Sequence, residues 1–233
     1  MIAENLSRLG LAALDLLYPP HCALCNRLRS FICETCANSL ARARPWRCDT
    51  CWLPLRGPEC ATCAEHPTSL TKLRSVFRYE GDVRRLVHAF KFRGEFSLGR
   101  TLATYLAECY REYGLESDIV TPVPLTGLRR RDRGYNQAAL MARELARGIE
   151  LPMAEALRRR RNSTPQAMSR TAEQRRLNVV EAFEPAKRAD VSGLRVLLID
   201  DVATTGATLN ACAKVLRAMG AVQVVGLTLA RED

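Results

Sequence analysis

The sequence predicts an α/β protein in which a parallel sheet flanked by helices follows a small cysteine-rich module. Three observations lead there. Beyond residue 70, short runs rich in Val, Ile and Leu alternate with stretches of helical periodicity, the pattern of strand–helix–strand units. One run, "RVLLI" (195–199), is almost uninterruptedly apolar, as a strand buried on both faces must be. Between residues 20 and 70 large apolar side chains are few, while eight of the chain's ten cysteines gather there. That part needs a source of folding free energy other than burial. The whole chain, 233 residues with 47% hydrophobic and 26% charged, has room for one good core plus such a module.

The chain opens with "MIAENLSRLGLAALDLLYPP". Ile2, Leu6, Leu9, Leu14 and Leu17 recur at helical spacing, so residues 1–19 read as an amphipathic helix that docks on the body. The stretch lacks a basic start and a small-residue cleavage site, and Asp15 interrupts its apolar part, which argues against a secretory signal. No run approaches the ~18 consecutive apolar residues of a membrane-spanning helix. The expectation is a cytoplasmic protein.

Residues 20–70 carry four Cys-x-x-Cys pairs: "CALC" (22–25), "CETC" (33–36), "CDTC" (48–51) and "CATC" (60–63). A redox site wants one such pair in a βαβ context, and a disulfide framework wants a secreted chain. Four closely spaced pairs instead suit metal, because two pairs complete a tetrahedral set of thiolates around one zinc ion. Short loops lose less entropy on closing. Local pairing would therefore place Cys22, Cys25, Cys33 and Cys36 on one ion and Cys48, Cys51, Cys60 and Cys63 on a second, although an interleaved pairing stays open. A catalytic zinc keeps an open position and two complete sets leave none, so the zinc reads as structural. His21 and His66 flank the pairs as bystanders, and Cys109 and Cys212 fall in helical patterns as small buried hydrophobes.

Residues 71–233 form the α/β part. The stretch from residue 70 to 114 reads as a strand, a short helix and a long helix. A strand at "DIVTPVP", a helix through "GYNQAALMARELARG" and an extended piece near 152–158 follow. Next come a basic helical stretch at 169–178, a short strand near 179–183, the "RVLLI" strand, a helix through "GATLNACAKVLRAMG" and a final strand at "VQVVGLTL". In such sheets ligands bind at the carboxyl ends of strands. The segment "VLLIDDVATTGATL" (196–209) puts Asp200 and Asp201 at one such end, expected to face solvent and meet hydroxyl groups or a metal. The loop behind them opens a helix whose free N–H groups and positive dipole end suit a phosphate. Thr204, Thr205 and Thr208 add hydroxyls, and Gly206 lets backbone approach an anion closely. Carboxylates for a sugar diol beside a phosphate cradle describe a ribose 5-phosphate site; an ordinary strand–turn–helix with capping residues is the bland alternative.

These 14 residues resemble the phosphoribosyl-pyrophosphate (PRPP) fingerprint of type I phosphoribosyltransferases. With the cysteine module they are similar to one group in that superfamily, the ComF/GntX proteins. "KFRG" (91–94), "TPVPL" (121–125), "RRRDRGYNQA" (129–138), "LRRRRNSTPQ" (157–166) and "RRLNVVEAF" (175–183) also resemble that group. The resemblance implies a type I phosphoribosyltransferase-like sheet preceded by a double zinc ribbon. It implies that Asp200 and Asp201 meet the ribose hydroxyls, partly through Mg²⁺, and that Ala203, Thr204, Thr205, Gly206, Ala207 and Thr208 hold the 5-phosphate. On the pyrophosphate side it implies Pro122, Val123, Pro124 and Leu125, with Arg129, Arg133 and Asn136 just beyond, and Lys91.

Two functions stay open. Only "LARED" ends the sequence after the last strand, so a hood over a nucleobase would have to come from the zinc module, which weighs against a Mg²⁺-dependent phosphoribosyltransferase with an unidentified acceptor. Between residues 120 and 190 there are 15 basic against 8 acidic side chains, within a chain of net charge +10. Such a surplus suits pyrophosphate and nucleic-acid phosphates alike. Arg159, Arg160 and Arg161 are its densest point. Aromatics there are limited to Tyr135 and Phe183, while Phe31, Trp46 and Trp52 in the module could stack bases or cap the metal sites. The resemblance implies a role in DNA uptake, with single-stranded DNA, a phosphoribosyl ligand and a protein of the uptake machinery as partners.

Overall fold

The computed structural model describes residues 19–44, 46–92, 97–125, 135–160 and 182–233. The expected N-terminal helix, the basic helical stretch at 169–178, Arg129, Arg133 and Arg161 lie outside the described residues. The chain divides into two compact units, Met1–Leu40 and Ala41–Asp233.

In the first unit a tight knuckle carries Cys22 and Cys25. His21 and Leu28 form an antiparallel bridge across it, and the Asn26 N–H donates to the Cys22 carbonyl at 2.8 Å. Asn26 sits at φ +65°, a left-handed position that asparagine tolerates better than most residues. Helix α1 (Glu34–Ser39) starts directly after Cys33 and brings Cys36 round by one turn.

The second unit repeats this device before the sheet begins. Arg47 and Pro54 bridge, the Trp52 N–H donates to the Cys48 carbonyl at 2.9 Å, and α2 (Ala61–Glu65) follows Cys60. The sheet has strands β1 (Lys72–Arg78), β2 (Ile119–Pro122), β5 (Arg195–Ala203) and β6 (Gln223–Arg231), all parallel, in the order β1-β6-β5-β2. Helices α3 (Gly81–Phe92), α4 (Leu98–Glu112) and α5 (Gln137–Gly148) link β1 to β2 and beyond, and α6 (Ala207–Ala218) links β5 to β6. Each of the longer helices buries one stripe: Leu98, Leu102, Leu106 and Cys109 on α4, and Leu209, Cys212, Ala213 and Leu216 on α6. Helices α4 and α5 pack on each other and on the sheet, while α6 meets β5, β6 and a two-stranded antiparallel hairpin, β3 (Leu157–Arg159) with β4 (Phe183–Pro185). Cys109 and Cys212 are buried as expected, and burial pushes the Cys109 thiol up to about 12.

Both edge strands are covered. Arg42 bridges Phe77 antiparallel along β1, and Met153 bridges Val120 in parallel along β2. The extended piece near 152–158 is thus two pieces, one on the edge of β2 and one in the hairpin. The arginine-rich run is a strand over Leu157–Arg159, paired with Phe183–Pro185; of the short strand expected near 179–183, residues 179–181 lie outside the described residues.

The "RVLLI" strand is longer than its apolar run. β2 ends at Pro122, paired with Ile199, but β5 and β6 stay in register through Asp200↔Thr228, Val202↔Ala230 and Ala203↔Arg231. The two acids therefore lie within a strand that overruns its neighbour on one side only. One further bond, from the Val123 N–H to the Ile199 carbonyl, closes the β2 side while β6 continues.

Candidate functional site

Successive strand residues point to opposite faces, so Asp200 and Asp201 diverge. Asp201 is only 9% exposed, against the expectation of a solvent-facing pair, and its Oδ1 lies 2.9 Å from the Lys91 ammonium at the end of α3. Asp200 is half-buried, and its Oδ1 accepts the Asp201 N–H at 2.8 Å. By strand alternation its side chain lies toward the face opposite that of Asp201.

The triplet Tyr135-Asn136-Gln137 sets Lys91 in place. Tyr135 Oη donates to the Phe90 carbonyl. Asn136 Nδ2 donates to the Val123 carbonyl at 3.1 Å, and its Oδ1 accepts the Ala138 N–H at 3.1 Å as the N-cap of α5. Gln137, 1% exposed, donates to the Lys91 carbonyl at 3.4 Å. Three consecutive side chains thus tie the end of α3, the segment after β2 and the start of α5 together. Asn136, expected on the pyrophosphate side, makes both the Val123 and the Ala138 bonds. Pro122 ends β2 opposite Ile199, Val123 is buried with its N–H on the Ile199 carbonyl at 2.9 Å, and Pro124 and Leu125 follow outside the strand.

Between β5 and α6 the loop leaves Thr204 and Thr205 exposed and Ala203 buried. Gly206 is the N-cap residue at φ +76°, where a side chain would strain the backbone, and a Cβ there would meet nothing within 4 Å. The space beside it is open. Thr205 Oγ1 accepts the Ala207 N–H at 3.3 Å, so one helix-start donor is capped from within the loop. Thr208 stands half-buried in the first turn. The sequence reading missed Arg231. It is 1% exposed at the end of β6 and its Nη1 donates to the Thr204 carbonyl, while the Glu232 N–H holds the Ala203 carbonyl at 2.9 Å. An arginine closing an otherwise apolar strand was the available signal.

The arginine cluster does not form one face. Arg158 and Arg160 both reach Glu184, each at 3.4 Å, and Arg159 lies on the opposite side with its guanidinium 5.2 Å from the Phe183 ring centre.

The thiols group locally: Cys22, Cys25, Cys33 and Cys36 in one cluster, and Cys48, Cys51, Cys60 and Cys63 in the other. Zn–S bonds of ~2.3 Å in a tetrahedron put sulfurs ~3.8 Å apart. Cys25 and Cys33 sulfurs are 3.6 Å apart, Cys48 and Cys63 3.7 Å, Cys51 and Cys60 3.5 Å, close to that spacing and far beyond a disulfide. Both clusters fit a zinc ion. Burial would push the Cys22 thiol up, but backbone N–H groups of Cys33, Cys25 and Leu24 outweigh it and bring it down to about 6. Cys48 is likewise brought to about 7, by the N–H groups of Cys51 and Thr50 acting against burial. Such N–H donors favour the thiolate form that a metal needs. The second cluster is built into the core of its unit: Trp52 is 4% exposed, stands edge-on to Tyr113 at 5.0 Å, and carries the Arg74 guanidinium 4.4 Å over its ring. Trp46, in contrast, is 88% exposed, and Phe31 is half-buried.

A half-buried carboxylate, a helix-opening loop with a glycine at positive φ and a lysine beside Asp201 thus stand together at the carboxyl end of β5. The phosphoribosyl transferase domain family matches residues 98–231, more than half of the chain. Competence protein F of Haemophilus influenzae is 34% identical over 209 residues, 85% of this chain and 90% of that protein. DNA utilization protein YhgH of Salmonella typhimurium is 32% identical over 200 residues, 83% and 87% of the two chains. Competence protein ComFC of Bacillus subtilis is 29% identical over 209 residues, 86% and 84%. This chain belongs to the ComF family of phosphoribosyltransferase-domain proteins. Among solved structures, glutamine PRPP amidotransferase from B. subtilis overlaps 57% of this chain and 26% of its own at 25% identity and TM-score 0.40, too partial an overlap to bear on function. No helix among the described residues is long and apolar enough to cross a membrane.

Proposed function

We propose that this protein binds a phosphoribosyl ligand at the carboxyl end of its sheet and serves in the uptake and handling of single-stranded DNA in the cytoplasm, alongside proteins of the uptake machinery. The observation that carries the ligand reading is the 203–208 loop, which opens α6 at positive φ beside Asp200. Ala203 to Thr208 would hold the 5-phosphate through backbone N–H groups and threonine hydroxyls. The half-buried Asp200 would take the ribose hydroxyls, directly or through Mg²⁺, which prefers hard oxygen ligands such as a carboxylate. Bound Mg²⁺ would offset the ligand's negative charge. Asp201 has Lys91 as its counter-charge and orients rather than binds.

The DNA reading rests on the relatives' names, on the basic surplus between residues 120 and 190, and on Trp46, whose ring is bare for stacking. Titration calorimetry with PRPP plus Mg²⁺, then with a single-stranded oligonucleotide, tests both halves. No heat with PRPP at millimolar ligand would sink the first, and no salt-dependent binding of the oligonucleotide the second. A second reading, phosphoribosyl transfer to an unidentified acceptor, is favoured by Lys91 standing beside the diacid, within reach of a departing pyrophosphate. Pyrophosphate release in the presence of PRPP, Mg²⁺ and candidate acceptors measures it.

A further inference from the structure

Arg231 stands between the loop and the second cysteine cluster. One cavity of about 310 Å³ is lined by both, with Cys51 and Cys63 on one side, Thr205, Gly206 and Ala207 on the other, and Arg231 between. The guanidinium is 1% exposed, gives Nη1 to the Thr204 carbonyl, and among the described residues its Nε has no hydrogen-bond partner. A cation buried this deeply requires a counter-charge. Burial is the strongest influence against its charged form, and charge on Cys51, Asp233 and Cys60 supports it. Asp233, however, is engaged by Arg47, at 2.5 and 2.8 Å, and faces Arg78 at 3.6 Å. The four thiolates of the second cluster remain, with the Glu65 carboxylate on the same cavity. With one divalent zinc the thiolates carry a net charge of about −2.

We infer that Arg231 is the positioning residue of the 203–208 loop and that the metal-loaded second cluster is its counter-charge, so that metal at Cys48, Cys51, Cys60 and Cys63 and phosphate at the loop favour each other's binding. This rests on the reading of the loop as a phosphate site. The Thr204 carbonyl fixed by Arg231 immediately precedes Thr205 and Gly206, beside which the space is open. Loss of the metal leaves the guanidinium under-compensated and releases the carbonyl. Linkage is reciprocal: bound phosphate must then hold the metal.

The test uses the full chain loaded with zinc, and ribose 5-phosphate as the probe. Zinc transfer to a chromophoric chelator is followed with and without the probe, and probe affinity is measured by calorimetry before and after the more labile metal is removed. The expected result is one of two release phases slowed by at least about fivefold, the lower edge of ordinary coupling between sites, and probe affinity lowered at least about fivefold on metal removal. Arg231→Met should abolish the slowing and Arg231→Lys restore part of it, a rescue that a purely packing role would not give. If the probe binds but slows neither phase of the wild type, the inference falls and the phosphate reading stands. If Arg231→Met shows the same slowing as wild type, the inference also falls. If the fully loaded wild type does not bind the probe, both fall. The wild-type arms need no variant to fold.

Discussion

Lys91 Nζ lies 2.9 Å from Asp201 Oδ1, joining the last turn of α3 to the overrun of β5 across the carboxyl edge of the sheet. Both side chains are largely sheltered, 18% and 13% exposed, so the pair is more than a surface contact. Lys91→Met strands a sheltered carboxylate and should cost about 2 kcal/mol, the scale of a lost hydrogen bond to a charged group. Adding Asp201→Asn to Lys91→Met should recover part of that loss, because the stranded charge goes with it. Urea midpoints of the two singles and the double decide this; strictly additive losses would contradict the pairing.

Asp200→Asn should leave the urea midpoint within about 0.5 kcal/mol of wild type, as for a partly exposed polar change. It should also remove Mg²⁺-dependent PRPP binding, since Asp200 stands at the carboxyl end of β5 next to the 203–208 loop. Retained binding with unchanged Mg²⁺ dependence would move the metal site elsewhere.

Elemental analysis should find two zinc ions per chain, because eight thiols form two sets with metal-ligand spacing. The two should differ in what their loss does. Removing the second should destabilise the α/β body, since Trp52 belongs to its core and donates Nε1–H to the Ser75 carbonyl of β1 at 3.2 Å. Trp52→Ala should cost about 3–5 kcal/mol, the usual loss for a buried large aromatic. A thermal transition of the α/β body indifferent to both changes would refute the placement.

Asp118 and Arg195 clamp the starts of β2 and β5. The Arg195 guanidinium and N–H donate to the Asp118 carboxylate, the guanidinium as close as 2.7 Å, and hold its pKa down to about 2. A carboxylate with a depressed folded pKa adds stability above its unfolded value, near 3.9. That stability is lost as pH falls from there through about 2. Asp118→Asn should therefore be less stable than wild type at pH 5 to 7, with the two curves converging toward pH 2. A difference that grows on acidification would reverse the assignment.

Trp46 should report single-stranded DNA. Its emission should shift on oligonucleotide binding, and Trp46→Ala should weaken binding by about 1–3 kcal/mol, the range for one base–aromatic stack. The log–log salt slope should stay the same, because stacking releases no counterions. Replacing Arg159, Arg160 and Arg161 by Ala should lower the slope by about 0.7 for each arginine that contacts a phosphate. Arg160 is held by Glu184, so the drop should fall short of the full three contacts. A full drop would mean that the hairpin opens on DNA.

What lay in contiguous residues was legible without a structure. The cysteine pairs, the strand–helix alternation and the run from Val196 to Leu209 are local patterns, and their chemistry follows from spacing alone. The order β1-β6-β5-β2 and the continuation of β5 past Ile199 were not, because a strand's length depends on whether its neighbours still offer partners. The same holds for the site's charges. Lys91 and Asp201 are 110 positions apart, and Thr204 and Arg231 are 27 apart on different elements. That Asn136 caps α5 and also holds the Val123 carbonyl could be seen only in the structure. Sequence by itself determined which groups the protein has and how neighbours along the chain can act. Tertiary structure decided which charges are buried and with what, since desolvation depends on every element packed around a group.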